Sequence, residues 1–200
     1  MNAYPPVSAL ILAGGAGRRM GGVDKGLLPF EGGVLIDPII KTLSLLADEV
    51  LINANRHLDR YRQWGHRVVA DPVHTEQLFA GPAAALIHAS RYAKNDWLLL
   101  APCDMPDYQP HWLAALWQVQ EQTRAAVVIA HDGSRLQPTV ALIHRPCLSQ
   151  RPASADTRLL SVLTAGRYSM CALDQDAWAF GNLNTPEQLR SHHSRREALT

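Results

Sequence analysis

The stretch LILAGGAGRRMGGVDK, residues 10–25, decides how the chain reads. It follows on from Val7–Leu12, an almost wholly apolar run of the kind found in strands covered on both faces. That strand would run straight into a loop of Gly14, Gly15, Gly17, Gly21 and Gly22, interspersed with Arg18 and Arg19 and closed by Lys25. Glycine lets backbone N–H groups turn inward and approach an anion closely. Arginine and lysine add charge-assisted hydrogen bonds, about twice as strong as neutral ones. In open α/β sheets ligands bind beyond the carboxyl ends of the strands, which is where this loop falls. A nucleotide phosphate is the expected occupant, with Arg19 and Lys25 as its contacts and Arg18 turned to solvent.

Two common glycine fingerprints fail on this stretch. A dinucleotide-binding GxGxxG begun at Gly15 would need glycine where Met20 stands. A phosphate loop of the GK[ST] type is excluded because Asp24 precedes Lys25 and Gly26 follows it.

Outward from the loop, short apolar runs alternate with helical patterns. Residues 50–54, 67–70 and 97–101 read as further strands, and residues 35–46, 58–64, 83–92 and 111–122 as helices. The last of these helices carries Trp112, Ala115, Leu116 and Val119 on one stripe. Such alternation predicts a mostly parallel α/β sheet with right-handed crossovers. After residue 124 the pattern changes. Residues 125–130 and 139–143 flank His131-Asp132-Gly133-Ser134 as a hairpin, followed by a short helix at 157–164 and a strand at 168–173. Thr185-Pro186-Glu187-Gln188 reads as a helix start, and residues 191–200 as a frayed tail with His192 and His193 solvated.

A chain of 200 residues suits one domain spanning residues 1–200. A net charge of +1 argues against a general nucleic-acid binder, so any anion site must be a local cluster of charge. Cys103, Cys147 and Cys171 are odd in number and widely spaced, which fits a reducing compartment rather than a disulfide framework. With no basic leader and no apolar run of membrane length, a cytoplasmic protein without membrane contact is expected.

Asp104 follows the run WLLLAPC and would stand at the carboxyl end of a central strand, facing the loop. Mg²⁺ favours one or two carboxylates together with substrate phosphates, so Asp104 is the candidate metal ligand; a turn cap before Pro106 is its other reading. Cys103 beside it has no activating base in view and reads as packing. Asn53 and Asp71 close the second and third strands and could reach the same crevice, although such residues also end strands without any ligand. Asn184 or Thr185 can serve as a cap for the last helix, a duty that Asn182 lacks.

The run LAGGAGRRMGGVDKGLL resembles the signature LAGGxxxRMGxxK of the MobA-like nucleotidyltransferases, and its GGVDK ending is closest to the molybdenum cofactor guanylyltransferase branch. The resemblance continues through INANR (52–56), VVADP (68–72), Gly81-Pro82, PCDMP (102–106), HDG with QPTVAL (131–142) and NLNTPE (182–187). It departs at GPAAA, where the family reads GPLAG. The resemblance implies a Rossmann-like three-layer αβα nucleotidyltransferase fold with a hairpin insertion. It implies transfer of GMP from GTP to the terminal phosphate of molybdopterin or molybdenum cofactor, dependent on Mg²⁺ at Asp104. By the same resemblance Leu12, Ala13, Gly14, Gly15, Lys25, Asn53, Asp71, Gly81 and Asp104 would bind the nucleotide. Arg19, Lys25, Asp104 and Asn182 would carry catalysis, with Asn182 toward the acceptor. Cofactor-inserting proteins and recipient molybdoenzymes would be the partners. Transfer from CTP, a sugar-phosphate acceptor, and a non-catalytic cofactor carrier stay open as alternatives.

Overall fold

The computed structural model describes residues 4–15, 23–72, 81–149 and 158–183, together with 188, 189, 191 and 192. In chain order the elements are β1 (Val7–Leu12), a 3-10 turn (Lys25–Leu27), a small hairpin of β2 (Pro29–Phe30) and β3 (Gly33–Val34), α1 (Asp37–Leu46), β4 (Glu49–Asn53) and α2 (Leu58–Arg62). There follow β5 (Arg67–Val69), α3 (Pro82–Ser90), β6 (Trp97–Pro102), α4 (Trp112–Thr123), β7 (Val127–His131), β8 (Leu136–His144), α5 (Pro146–Ser149), α6 (Leu159–Thr164), β9 (Tyr168–Ala172) and a second 3-10 segment (Asp174–Phe180).

The strands form a seven-stranded sheet in the order β5-β4-β1-β6-β8-β7-β9. Every neighbouring pair is parallel except the two made by β8, which runs against both β6 and β7. Strand β1 has β4 on one side and β6 on the other, so the chain leaves it in one direction and returns on the opposite side. That reversal opens a crevice at the carboxyl ends of the strands, the usual ligand position in such sheets.

Both faces of the sheet are covered. On one, Ile39 and Leu43 of α1, Tyr61 of α2 and Trp112 and Leu116 of α4 pack on Ala9, Ile11, Ile52 and Leu99. On the other, Leu86 of α3, Leu148 of α5 and Leu163 of α6 pack on Leu10, Leu51, Leu98 and Leu100. Successive residues of one strand alternate between the two cores, which is why the central strands are apolar throughout. The result is a three-layer αβα architecture with a mostly parallel sheet, as the alternation predicted.

Most elements differ from the sequence reading by one to three residues at their ends, and two of the differences have a plain cause. Helix α1 begins at Asp37 rather than at Leu35, because Pro38 suits only a first turn and Asp37 accepts the Val34 amide at 2.7 Å. Strand β8 begins at Leu136 rather than at Thr139; its register with β7 shifts between Ile129 and Ala130, where Pro138 has no N–H to give the ladder.

Candidate functional site

The site begins where β1 ends. The Ala13 amide donates to the Asn53 carbonyl at 2.8 Å, and the Cys103 amide donates to the Leu12 carbonyl at 3.2 Å. The chain is thus held between its two neighbours up to Gly14, and the loop enters the crevice from a fixed point. Gly14 must be glycine: a β-carbon there would stand 2.6 Å from Asn53 Oδ1 and 2.9 Å from Asn55 Nδ2. Gly15 beyond it is exposed and would meet nothing.

Beside Gly14 lies a group of polar side chains from the ends of β4 and β5. Asn53 Nδ2 donates to the Val69 carbonyl at 3.2 Å and to Asp71 Oδ1 at 2.8 Å. Asn55 Nδ2 donates to Asp71 Oδ2 at 2.7 Å and to the Gly14 carbonyl at 3.1 Å, while its Oδ1 accepts the Asp71 amide at 2.8 Å. Asp71 is therefore held at both carboxylate oxygens. Asn53 is 1% exposed, yet among the described residues its Oδ1 has no partner. A sealed acceptor of this kind is a cost of about 1–3 kcal/mol unless a donor comes to it.

The far end of the loop is anchored separately. Tyr61 Oη, fully buried under α2, donates to Asp24 Oδ1 at 2.5 Å. Burial raises the Asp24 carboxyl above its ordinary value, against the opposing pull of the Tyr61 hydrogen bond and of Arg56 and His57. Arg56 Nη2 donates to the Gly15 carbonyl at 3.1 Å and to the Val23 carbonyl at 3.4 Å, joining the two ends of the loop. Lys25, next to the anchored Asp24, then reaches across the crevice, with Nζ 3.2 Å from Asp104 Oδ2.

Asp104 follows β6 and is 8% exposed. Its carbonyl accepts the Leu183 amide at 2.9 Å, which brings the Asn182 segment alongside. That segment is pinned upstream, where Asp176 Oδ2 accepts Trp112 Nε1 at 2.8 Å and bonds His111 Nε2 at 2.6 Å. The Trp112 and Phe180 rings stack at 4.3 Å. Cys103 is 5% exposed, and burial, followed by the Asp104 charge, pushes its thiol well above the ordinary range, as suits packing rather than attack.

The structure thus brings Leu12, Ala13, Gly14, Gly15, Lys25, Asn53, Asp71, Asp104 and Asn182 to one edge of the sheet. Gly81 precedes α3 with φ +92, and no hydrogen bond among the described residues joins it to Lys25, Asn53 or Asp104. Helix α3 still starts on the ligand edge, and its small Ala83, Ala85 and Ala89 let it lie close against the sheet. Arg18, Arg19, Asn184 and Thr185 lie outside the described residues. His192 corrects the sequence reading: its ring packs on Phe30 at 5.4 Å and bonds Asp107, and its side chain is 12% exposed rather than solvated. A terminal position says nothing of the pocket that a last helix finds when it docks.

Asn55, Arg56, Asp24 and Tyr61 were not singled out from sequence. Asn55 carried a signal, since two asparagines spaced by two at a strand end fall on one side. The Asp24–Tyr61 pair joins positions separated by 37 and carried none. A cleft of about 840 Å³ lined by Phe30, Lys41, Pro106, Tyr108 and Trp178 lies beside the site but includes none of its residues. The chemistry points instead to the crevice between β1 and β6.

The donor set permits a test for a metal. No group of three or more His, Cys, Asp or Glu among the described residues could cage one. A single buried carboxylate facing a lysine fits Mg²⁺ that arrives on a polyphosphate and keeps waters.

Comparison with known proteins agrees with this geometry. Residues 9–170 match the model of the MobA-like NTP transferase domain. A molybdenum cofactor guanylyltransferase of Shewanella frigidimarina is 37% identical over 92% of this chain and 94% of its own. One of Photobacterium profundum is 36% identical over 92% and 93%. Among solved structures, molybdopterin-guanine dinucleotide biosynthesis protein A of Archaeoglobus fulgidus superposes with a TM-score of 0.75 at 19% identity, covering 96% of this chain and 99% of that one. With a glycine-rich segment after β1, a lysine–aspartate pair and a buried asparagine at one sheet edge, and matches of this extent, the chain belongs to the MobA-like NTP transferase family.

Proposed function

We propose that the protein transfers GMP from GTP to the terminal phosphate of molybdopterin or molybdenum cofactor, releasing pyrophosphate and forming the guanine dinucleotide. The observation that carries this reading is the Lys25–Asp104 pair at the mouth of the β1–β6 crevice, beside the Asn53–Asp71 group. The choice of acceptor and base follows relatives named for that reaction at more than a third identity.

An oxygen of the acceptor phosphate forms a bond to the α-phosphorus of GTP as the bond to pyrophosphate breaks. The acceptor is already anionic near neutral pH, so the reaction needs position and charge neutralisation more than a general base. Lys25 and Arg19 bind the phosphates. Leu12, Ala13, Gly14 and Gly15 offer backbone along the nucleotide, and Asn53 and Asp71 hold the nucleoside, with Asn53 Oδ1 gaining the donor it lacks. Gly81 lets α3 begin close to the nucleotide, and Asn182 orients the acceptor. Asp104 would hold Mg²⁺, which supplies charge neutralisation on the phosphates when bound. Release of the product to cofactor-inserting proteins or recipient molybdoenzymes completes the reading.

The test is incubation with molybdopterin, GTP and Mg²⁺, followed by pyrophosphate and the dinucleotide. Stoichiometric pyrophosphate is expected. Preference for CTP would overturn the guanylyl assignment, and GTP binding without any pyrophosphate would favour a carrier.

A further inference from the structure

The segment Asp132–Gln137 forms a second built feature on the ligand edge. Asp132 Oδ1 accepts the amides of Ser134 and Arg135, both at 2.8 Å, and the Ser134 hydroxyl at 2.7 Å. Its Oδ2 accepts Gln137 Nε2. Burial opposes the Asp132 charge, but these hydrogen bonds outweigh it and hold the carboxyl well below the ordinary range. The carboxylate is committed, and it sets which way the Gln137 amide turns. Gln137 as a residue is 6% exposed; among the described residues its Oε1 accepts no hydrogen bond, and that atom is not sealed, so it is open to a donor from outside the protein.

Topology places this amide near the chemistry. Ala141 pairs with Leu100 in antiparallel register. Running back along β8 to Gln137 and forward past β6 to Asp104 therefore leads to the same edge of the sheet. Gln137 is opposite Ala130, and paired residues share a face. Ala130 belongs to the core layer of Ala101, Cys103, Met105 and Phe180, the last of which precedes the Asn182 segment. The turn also abuts the start of the 3-10 segment that leads to Asn182, since a β-carbon on Gly133 would stand 3.0 Å from Asp174 Cβ, and the Leu173 amide donates to the His131 carbonyl at 2.8 Å.

We infer that the Gln137 amide, oriented by Asp132, hydrogen-bonds the acceptor and reads a heterocycle edge bearing an N–H donor beside a carbonyl. Oε1 takes the N–H, and the second Nε2 hydrogen meets the carbonyl. The pyrimidinone edge of a pterin has this pattern, so the inference rests on the molybdopterin reading above. Asp132 is a positioning residue, acting only through Gln137.

Steady-state kinetics of Gln137→Met and Asp132→Asn test this. Gln137→Met keeps the side-chain length and removes both polar atoms; its KM for molybdopterin should rise roughly tenfold to a hundredfold, as for two lost hydrogen bonds, with KM for GTP and Tm unchanged. In Asp132→Asn the new amide keeps its oxygen on Ser134 and Arg135 and presents NH₂ to Gln137. Gln137 must then turn Oε1 inward, so KM for the acceptor rises while KM for GTP does not, a split that a purely structural role would not produce. An unchanged acceptor KM in Gln137→Met, or KM values for both substrates rising together, overturns the inference while wild-type turnover leaves the proposed function standing. No pyrophosphate from wild type with molybdopterin and GTP overturns the acceptor reading and this inference with it.

Discussion

Lys25 and Asp104, 79 positions apart in the chain, meet across the carboxyl ends of β1 and β6 with Nζ 3.2 Å from Oδ2. Each is held by its neighbours rather than by the pair. Asp24 fixes Lys25 through Tyr61, and Asp104 is tied through its carbonyl to Leu183.

In the proposed reaction both residues meet charge that develops on the transferring phosphates, so removing either should lower kcat/KM by about 3 kcal/mol, on the order of a hundredfold. Lys25→Ala and Asp104→Ala, assayed for pyrophosphate release, check this. Asp104→Ala should also lose its response to added Mg²⁺, and near-normal turnover in that variant would remove the metal assignment.

Gly14→Ala sets a β-carbon against Asn53 Oδ1 and Asn55 Nδ2, and neither asparagine can yield without breaking bonds to Val69 or Asp71. Overpacking of this sort costs about 1–3 kcal/mol of stability. A lowered Tm with weakened GTP binding by calorimetry is expected, because the displaced asparagine is the one proposed to hold the nucleoside. Normal GTP affinity would show that Asn53 does not face the ligand.

Asp24 makes a prediction in pH. Burial raises its carboxyl in the folded protein, so the folded state binds this proton more readily than the unfolded chain does. The stability it contributes is present below the ordinary carboxylate range and is lost as pH rises through the folded value. Asp24→Asn, whose amide oxygen can still accept from Tyr61, lacks that dependence. Denaturant titrations between about pH 4 and 7 should show the variant gaining on wild type as pH rises; a constant difference would contradict the direction.

What the sequence by itself determined was every feature with a local physical cause. The apolar run of β1 breaking into glycine, the stripe on α4 and the alternation of strands and helices each depend on neighbours within a few turns of chain. They suffice for the αβα class and for a glycine-rich loop at a strand end. Tertiary structure decided which distant residues share a face. It put Asn55 on Asp71, buried Tyr61 against Asp24, brought His192 onto Asp107, and paired Gln137 with Ala130 across a register shift in β7 and β8. None of these pairs has a sequence period. Each follows from the order in which seven strands pack, and that order is settled by the burial of two cores at once.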